Sequence, residues 1–322
     1  MSEGLESYKD VESWLVGGGD TWRLMALRWF NPSAITKYDY LKAAQSEPLS
    51  QILSHGSFKK DTGGKSRYYR DKYTGLAYRI QLMADFGANR TIPGIEEEVD
   101  DFLTWGANPG GGLTYAKGLP SFPCFSGTIL GSMVRMGYNE NDAKVKELGD
   151  WIALQMRPDG GWLCPPRMMS FVLDETHSCF SATYFATAGL VALNSSDEKQ
   201  KIARESGLEF LLNHKLFRSD RSDRILCNRW LETGFPSFNY YSLLKGANLI
   251  ATAGLADDPR ADEAFDILLK QRQEDGSWLQ GWIPAQPKPY NCTEKGKPCR
   301  AVTVLTWSTL ASAGRIKPPV IS

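Results

Sequence analysis

The sequence predicts an all-α fold, an (α/α)6 toroid in which six inner helices stand side by side and outer helices surround them. Three observations predict it. A turn that contains Gln, Asp-Gly and Trp recurs along the chain, and apolar segments of helical length recur in the same frame. Segments with many more charges lie between the apolar ones. Repeats of this length are buried against their neighbours, and helices that are apolar on every side are buried on every side.

The recurring turn is clearest in residues 155–162 (QMRPDGGW) and 271–278 (QRQEDGSW). These two copies begin at 155 and 271, 116 residues apart, which is two periods of 58. Weaker copies are residues 51–58 (QILSHGSF) and 105–112 (WGANPGGG). Asp-Gly makes a tight reversal and Trp stacks across it, so the pattern predicts a structural role for these tryptophans.

The predicted inner helices are apolar segments with interleaved Gly, Ala, Ser and Thr, each starting just after a turn. Five of them begin near Tyr73, Cys124, Cys179, Asn239 and Cys299. Successive starts are therefore 51, 55, 60 and 60 residues apart. An earlier copy, DTWRLMALRWF, begins at Asp20 and makes six.

The predicted outer helices are amphipathic and charged, as in ENDAKVKELGDWIALQM and DDPRADEAFDILLKQ. In the second, Asp258 suits an N-cap and Pro259 suits the first turn. Five such helices follow inner helices, and the N-terminal LESYKDVESWLVGG is expected to supply the sixth and to close the ring. No linker rich in Pro, Gly and Ser divides the chain, so residues 1–322 are expected to form one domain.

Composition narrows the range of partners and locations. Lys plus Arg and Asp plus Glu both number 37, so the chain has no net charge to attract nucleic acid. No apolar run is long enough to span a bilayer, and the N-terminus lacks the pattern of a secretory signal. We therefore expect a cytoplasmic protein without a transmembrane segment, whose six cysteines are mostly reduced.

The Gln-x3-Asp-Gly-x-Trp turns match the QW motifs of the squalene–hopene cyclase type, and the predicted toroid resembles the β subunits of protein prenyltransferases. The order PCFSG, DGGWLC, HSCFSA is similar to bacterial prenyltransferase/squalene-oxidase-repeat proteins. The similarity in period and in helix alternation covers essentially the whole chain. The resemblance implies a central cavity, opening at the starts of the inner helices, that binds or transforms an isoprenoid or another apolar ligand.

The resemblance also implies where catalytic acids should be found. Class II terpene cyclases protonate an alkene with an Asp-x-Asp-Asp motif at the start of an inner helix. The nearest spelling here is EVDD, residues 98–101, which lies on a predicted outer helix and is expected to be solvated. The usual motif is thus absent. The candidate catalytic residues are Asp174 and Glu175, upstream of one inner helix, and Tyr240, at the start of another. Whether the protein is an enzyme stays open.

The resemblance to protein prenyltransferases implies a metal site. Those enzymes bind zinc through an Asp-x-Cys at the start of an inner helix and through a distant His. Aligned on the following helix, this chain reads His177-Ser178-Cys179, and both His and Cys are good zinc ligands. The position of the distant His falls near Asn239 and Tyr240, which leaves that site one ligand short.

The repeat offers replacement ligands. Cys124, Cys179 and Cys299 occupy equivalent positions on three inner helices, and equivalent helix starts face one rim of a closed ring. With His177 they form the predicted zinc set; Cys164, just after Trp162, is a further thiol near this rim. The alternative is that these cysteines are small apolar residues that pack at helix contacts.

Two groups of side chains near the rim favour an apolar ligand with an anionic head group, such as a diphosphate. The basic ones are Arg67, Arg70, Lys72, Lys297 and Arg300. The aromatic ones, which suit an isoprenoid-binding wall, are Phe125, Tyr184, Tyr240, Tyr241 and Trp307.

Two other functions remain open from the sequence. One is a non-catalytic binding or scaffold protein, which predicts a filled centre and separated, inert cysteines. The other is a carbohydrate-active enzyme, which needs paired carboxylates roughly 5 to 10 Å apart. Asp174, Glu175 and Asp20 are the acids available for such a pair.

Overall fold

The computed structural model describes residues 11–54, 75–115, 118–165, 177–283 and 293–321. Within these ranges the chain forms α-helices, short 3-10 helices and turns, and its β-bridges are isolated pairs such as Ala107 with Leu113. The all-α prediction is confirmed. None of the described helices is long and apolar enough to cross a bilayer.

Helices with extensive buried surface form an inner layer. In the described residues they are α2 (Asp20–Phe30), α5 (Leu76–Asp85), α7 (Pro123–Arg135), α9 (Phe180–Leu193), α11 (Leu243–Thr252) and α13 (Arg300–Ser312). Helices α7, α9 and α13 each bury nine or more residues, including Ser, Thr and Gly as well as large apolar side chains. Small side chains let such helices pack against neighbours on several sides.

The outer layer alternates with the inner one along the chain. It consists of α1 (residues 11–16), α3 (Lys37–Gln45), α6 (Ile95–Gly106), α8 (Ala143–Leu154), α10 (Glu198–Asn213) and α12 (Asp262–Lys270), and the short α4 (Leu49–Ser54) follows α3. The first turn of α6 carries three glutamates, and α12 begins with two acids, which suits a helix N-terminus.

The inner helices contact one another in chain order until the last meets the first. Helices α5, α7, α9, α11, α13 and α2 form successive contacting pairs. Between α2 and α5, the ring of Trp22 packs edge-on against Phe86, with centroids 5.4 Å apart. Leu24 also lies beside Gly87 at the end of α5, since a Cβ placed there would be 3.4 Å from its Cγ. The inner layer is therefore a closed ring.

Helix α1 packs where the ring closes. Arg300 Nε, at the start of α13, donates to the carbonyl oxygen of Trp14 at 2.7 Å. The N–H of Val320 donates to Glu12 Oε1 at 3.1 Å. Residues near both ends of the chain therefore meet on the outside of α13. The extent of the domain, residues 1–322, stays a prediction.

Two recurring turns join an outer helix to the next inner helix in the same way. The indole N–H of Trp162 donates to Ile152 O in α8, and that of Trp278 donates to Leu268 O in α12, both at 2.8 Å. The carbonyls of the two tryptophans accept the backbone N–H groups of Cys179 and Cys299. Both indoles are fully buried, so the contacts give these residues a structural role.

One inner helix starts later than its sequence pattern predicts. The apolar pattern begins at Asn239, whereas α11 begins at Leu243. Phe238 has a left-handed backbone, with a φ of 44°, and the chain turns before it enters the helix. The hydroxyl of Ser242 then accepts the N–H of Lys245 at 3.4 Å and caps the helix.

Helices α7 and α9 approach so closely that their backbones touch through glycines. A Cβ on Gly127 would lie 2.2 Å from the carbonyl oxygen of Phe185, and one on Gly189 would lie 2.6 Å from the carbonyl oxygen of Gly127. Gly131, one turn further along α7, has more room, because its Cβ would have no neighbour closer than 3.7 Å.

Replacing Gly127 by Ala is therefore expected to lower the free energy of unfolding by about 1–3 kcal/mol, because the methyl group forces the two backbones apart. The matched change Gly131→Ala should leave stability equal or raise it by up to ~1 kcal/mol, because Ala favours the helix. Chemical denaturation of both variants measures the difference, and equal midpoints would contradict the close approach.

Candidate functional site

A cavity of about 400 Å3 lies inside the ring, and each inner helix contributes to its wall. Residues of the loop 234–238, which precedes α11, complete that wall. Small-molecule pockets in proteins have volumes of roughly 300 to 1,000 Å3, so the space is large enough for a ligand. The scaffold alternative predicts a centre filled by side chains, whereas the structure has a cavity there.

The cavity extends toward the C-terminal ends of the inner helices. Its wall includes the last turns of four of them, at Arg28, Asp85, Arg135 and Thr252. The sequence instead placed the opening at the helix starts. Aromatic side chains pack at the starts of α7, α9 and α11, while the start of α11 also borders the cavity through Ser242 and Lys245.

Two aromatic clusters lie at the starts of α7, α9 and α11. Phe180, Trp230 and Tyr241 have ring centroids 4.8–4.9 Å apart. Tyr115 packs against Phe122 and Phe125, with centroids 5.0 and 4.2 Å away. Of the aromatic residues that the sequence predicted for the cavity wall, Tyr184 lines the described cavity. The others pack elsewhere; Tyr241, for example, donates its hydroxyl to Leu216 O at 2.6 Å.

Most of the wall is apolar. The glycines of α7 and α9 leave space on one side, where Val134, Ala188 and Val191 also face the cavity. Aromatic rings supply much of the remaining surface, namely Trp29, Tyr184, Phe185, Phe235 and Phe238. Such a wall suits a hydrocarbon chain, and the faces of its rings favour positive charge.

Four charged side chains also line the cavity: Arg28, Asp85, Arg135 and Lys245. Arg135 Nη2 lies 3.1 Å from Asp85 Oδ1, which makes a salt bridge. Arg28 donates to the carbonyl oxygen of Arg135. Lys245 Nζ donates to Tyr240 O at 3.1 Å and to Phe238 O. The described wall therefore carries three cations and one carboxylate. That single acid does not provide the pair that a carbohydrate-active enzyme needs.

The enclosure changes the proton affinity of these groups. Burial lowers the pKa of Lys245 to about 8; the Asp85 carboxylate opposes this shift and Arg135 adds to it. Burial raises the pKa of Asp85, against the attraction of Arg135, Lys245 and Arg28. The Asp85 side chain keeps 29% of its surface accessible, and that surface faces the cavity. Burial also raises the pKa of Tyr184.

Sequence reasoning missed this charged cluster because it searched the starts of the inner helices. A signal was present, since Asp85, Arg135 and Lys245 interrupt segments that are otherwise apolar or small. Arg28 and Arg135 suit helix C-termini, whereas an acid such as Asp85 is unfavourable there. A charge that opposes the helix dipole inside an apolar repeat needs a partner elsewhere, and here the partner is Arg135.

The predicted catalytic residues lie apart from the described wall. Tyr240 is 38% exposed and packs edge-on against Trp282, with centroids 5.2 Å apart. Its backbone carbonyl, rather than its hydroxyl, contacts Lys245. Asp174 and Glu175 lie outside the described residues, so their catalytic roles stay predictions.

The predicted basic residues lie elsewhere too. Arg67, Arg70 and Lys72 fall outside the described residues. Lys297 is exposed, and Arg300 is bonded to helix α1. The positive charge of the described cavity comes from other residues.

Within the described residues the four predicted zinc ligands do not form one metal site, although Cys179, at the N-cap of α9, lies near Cys164. His177 is exposed and contacts Arg221. Cys299 is buried at the start of α13, and its N–H donates to Trp278 O at 3.0 Å. Cys124 lies next to Cys164, which was outside the predicted set, with the two Sγ atoms 2.9 Å apart.

Those distances do not fit a zinc ion. Two thiolates on one tetrahedral zinc are roughly 3.7 Å apart, given bonds of about 2.3 Å. In the part of the chain that the structure describes, no three His, Cys, Asp or Glu side chains are placed to hold a metal. Zinc binding by His177, Cys179, Cys124 and Cys299 stays a prediction.

The chain is similar to solved structures of the type II terpene cyclase MstE from Scytonema. The apo structure shares 14% identity and a TM-score of 0.47, over 98% of each chain. A variant of that enzyme in complex with geranylgeranyl dihydroxybenzoate, its substrate, gives the same identity and TM-score over 98% of this chain and 97% of that chain. No protein-family model and no curated protein matches the sequence. At this similarity, the comparison identifies no activity for this chain.

Lys245 is expected to make stability depend on pH. Its pKa is about 8 in the folded protein against an ordinary 10.5. Between these pH values the unfolded chain holds a proton that the folded protein has lost, so stability rises with pH. Lys245→Met removes this gain. The free energy of unfolding of the wild type, relative to this variant, should rise by about 1–3 kcal/mol from pH 7 to pH 10.

Denaturation at several pH values measures this difference. Lys144→Met on α8 is the matched control, because it removes the same charge from a side chain that is 50% exposed. The control should follow the wild type. Parallel curves for wild type and Lys245→Met would contradict the burial of the ammonium group.

Proposed function

We propose that the protein binds an isoprenoid-like apolar ligand with an anionic head group in its central cavity, in the manner of terpene cyclases and prenyltransferases. The observation that carries the proposal is an apolar, aromatic-walled cavity with an excess of cations at one place in its wall.

The residues of the cavity wall support an apolar ligand. Trp29, Phe185, Phe235 and Phe238 line the cavity together with glycines and alanines of α7 and α9. Burying a hydrocarbon chain there contributes roughly 25 cal/mol for each Å2 of apolar surface removed from water. An elongated, flexible hydrocarbon with few polar groups is the ligand that such a wall favours.

The excess of cations over carboxylates in the cavity wall supports an anionic head group on the ligand. Asp85 accepts from Arg135, so one of the three cations has a carboxylate partner. Among the described residues, Arg28 and Lys245 donate to backbone carbonyls and form no salt bridge. Unpaired charge in an apolar enclosure costs free energy, and a ligand anion placed between these two cations reduces that cost.

Binding is the function that the described residues support better than alkene protonation. Protonation needs a carboxylic acid held in its neutral form beside the alkene. The acid in the described wall is Asp85: burial raises its pKa, its salt bridge to Arg135 favours the carboxylate, and no second carboxylate in the described wall helps to keep it neutral. A chemical step would therefore depend on other groups, such as the predicted Asp174 and Glu175.

Farnesoic acid and farnesol test the proposal, because they share a chain and differ in the head group. We expect both to bind, and the acid to bind more tightly. Lys245→Met should weaken binding of the acid by roughly 10- to 100-fold, the effect of losing a charged hydrogen bond. Binding of farnesol should change by less than about twofold. Above pH 8 the affinity of the wild type for the acid should fall as Lys245 loses its proton.

Isothermal titration calorimetry measures these affinities, with Lys144→Met as the control that should bind both ligands like the wild type. Failure of both ligands to bind would overturn the proposed cavity function. If farnesoic acid and farnesol bound with equal affinity, and if Lys245→Met changed neither affinity, the proposal of an anionic head group would be wrong. The proposal of an apolar ligand in the cavity would still stand.

Filling the cavity provides a separate test. Gly131 lines the cavity, and a Cβ there would make only ordinary van der Waals contacts, the nearest at 3.7 Å. Gly131→Leu is expected to place its side chain in the cavity and to weaken binding of both ligands by about 10-fold or more. Gly131→Ala is the control and should bind both normally. Wild-type affinity in a folded Gly131→Leu protein would contradict binding at this place.

A further inference from the structure

Two cysteines form a close pair beside the ring, separate from the cavity. Cys124 is the second residue of α7, and Cys164 follows the turn that ends at Trp162. The thiol of Cys164 donates to Cys124 Sγ, with 2.9 Å between the sulfur atoms. A disulfide bond needs them about 0.9 Å closer.

The pair is sheltered but can be reached by a small molecule. Cys164 is 7% exposed, whereas Cys124 is half-buried. The hydroxyl of Tyr115 lies 3.9 Å from Cys124 Sγ and covers it. On the other side, a pocket of about 340 Å3 is bordered by Cys164, Pro123 and Gln155. A hydroperoxide can enter through a pocket of that size, whereas a protein thiol cannot.

The surroundings favour the neutral thiol of Cys164. The hydrogen bond to Cys124, together with burial, raises the pKa of Cys164. Burial also raises the pKa of Cys179, which lies near Cys164.

We propose that Cys124 and Cys164 form a reversible disulfide when the protein meets a hydroperoxide. One sulfur of the pair attacks the terminal peroxide oxygen; the O–O bond breaks, that cysteine becomes a sulfenic acid, and an alcohol or water leaves. The sulfur of the other cysteine then attacks the sulfenic sulfur, the S–S bond forms, and water leaves. Two thiols lose two electrons in total, and the peroxide accepts them.

The bond would join one wall of the cavity to the turn behind it. Helix α7 contributes Gly131 and Arg135 to the cavity, and Cys124 lies in its first turn. Tyr115, which covers Cys124, accepts a hydrogen bond from Asn239 at 3.4 Å. Asn239 directly follows Phe238 of the cavity wall. The proposal rests on the thiol pair alone and does not require the proposed ligand.

The test treats the full-length protein with hydrogen peroxide and counts its free thiols before and after. Of the six cysteines, two should be lost, with a mass decrease of two hydrogen atoms, and dithiothreitol should restore both. Peptide mapping should find the peptide that contains Cys124 linked to the one that contains Cys164. Mapping uses the wild-type protein, so the result does not depend on the folding of any variant.

Single substitutions sharpen the assignment. Cys124→Ser and Cys164→Ser should each abolish the cross-link, whereas Cys227→Ser, a half-buried cysteine elsewhere, should leave it unchanged. Retention of all thiols under peroxide would overturn the proposal. A cross-link from Cys164 to Cys179, or oxidation of Cys124 to a sulfinic acid without a cross-link, would overturn it as well.

Discussion

The structure depends on one constraint, which is that its inner helices are too apolar to face water. Such helices need neighbours on both sides, and a closed ring gives every one of them two. The ring closes through the contact of α13 with α2 and through Trp22 packing against Phe86. Buried tryptophans in two turns bind the outer helices α8 and α12 to the inner helices that follow them, α9 and α13.

A ring of this kind leaves a central space whose width depends on the smallest residues of its wall. Gly127 and Gly189 draw α7 and α9 together until their backbones touch. Glycines and alanines of α7 and α9 also line this space, and aromatic clusters pack at the starts of α7, α9 and α11. Arg28, Asp85 and Arg135, in the last turns of their helices, and Lys245, in the first turn of α11, face the cavity, while the thiols at the helix starts lie outside its described wall.

The charged cluster shows how helices of different repeats combine. Arg28, Asp85, Arg135 and Lys245 lie on four helices and are far apart in sequence. Each has its own local cause, such as a cation at a helix C-terminus or a lysine next to a capping serine. Together they give an apolar space an excess of positive charge. That excess, more than any single residue, separates the cavity from ordinary core packing.

The sequence by itself determined the all-α class, the alternation of apolar and charged helices, and the structural role of Trp162 and Trp278, because periodicity and turn chemistry are local. It did not determine which repeated positions face the same space. The equivalent positions of Cys124, Cys179 and Cys299 suggested a shared zinc site, whereas the structure pairs Cys124 with Cys164. The position of the charged cluster was also decided only by tertiary packing. Side-chain direction depends on helix rotation and on which neighbours fill each gap, and no local pattern encodes either.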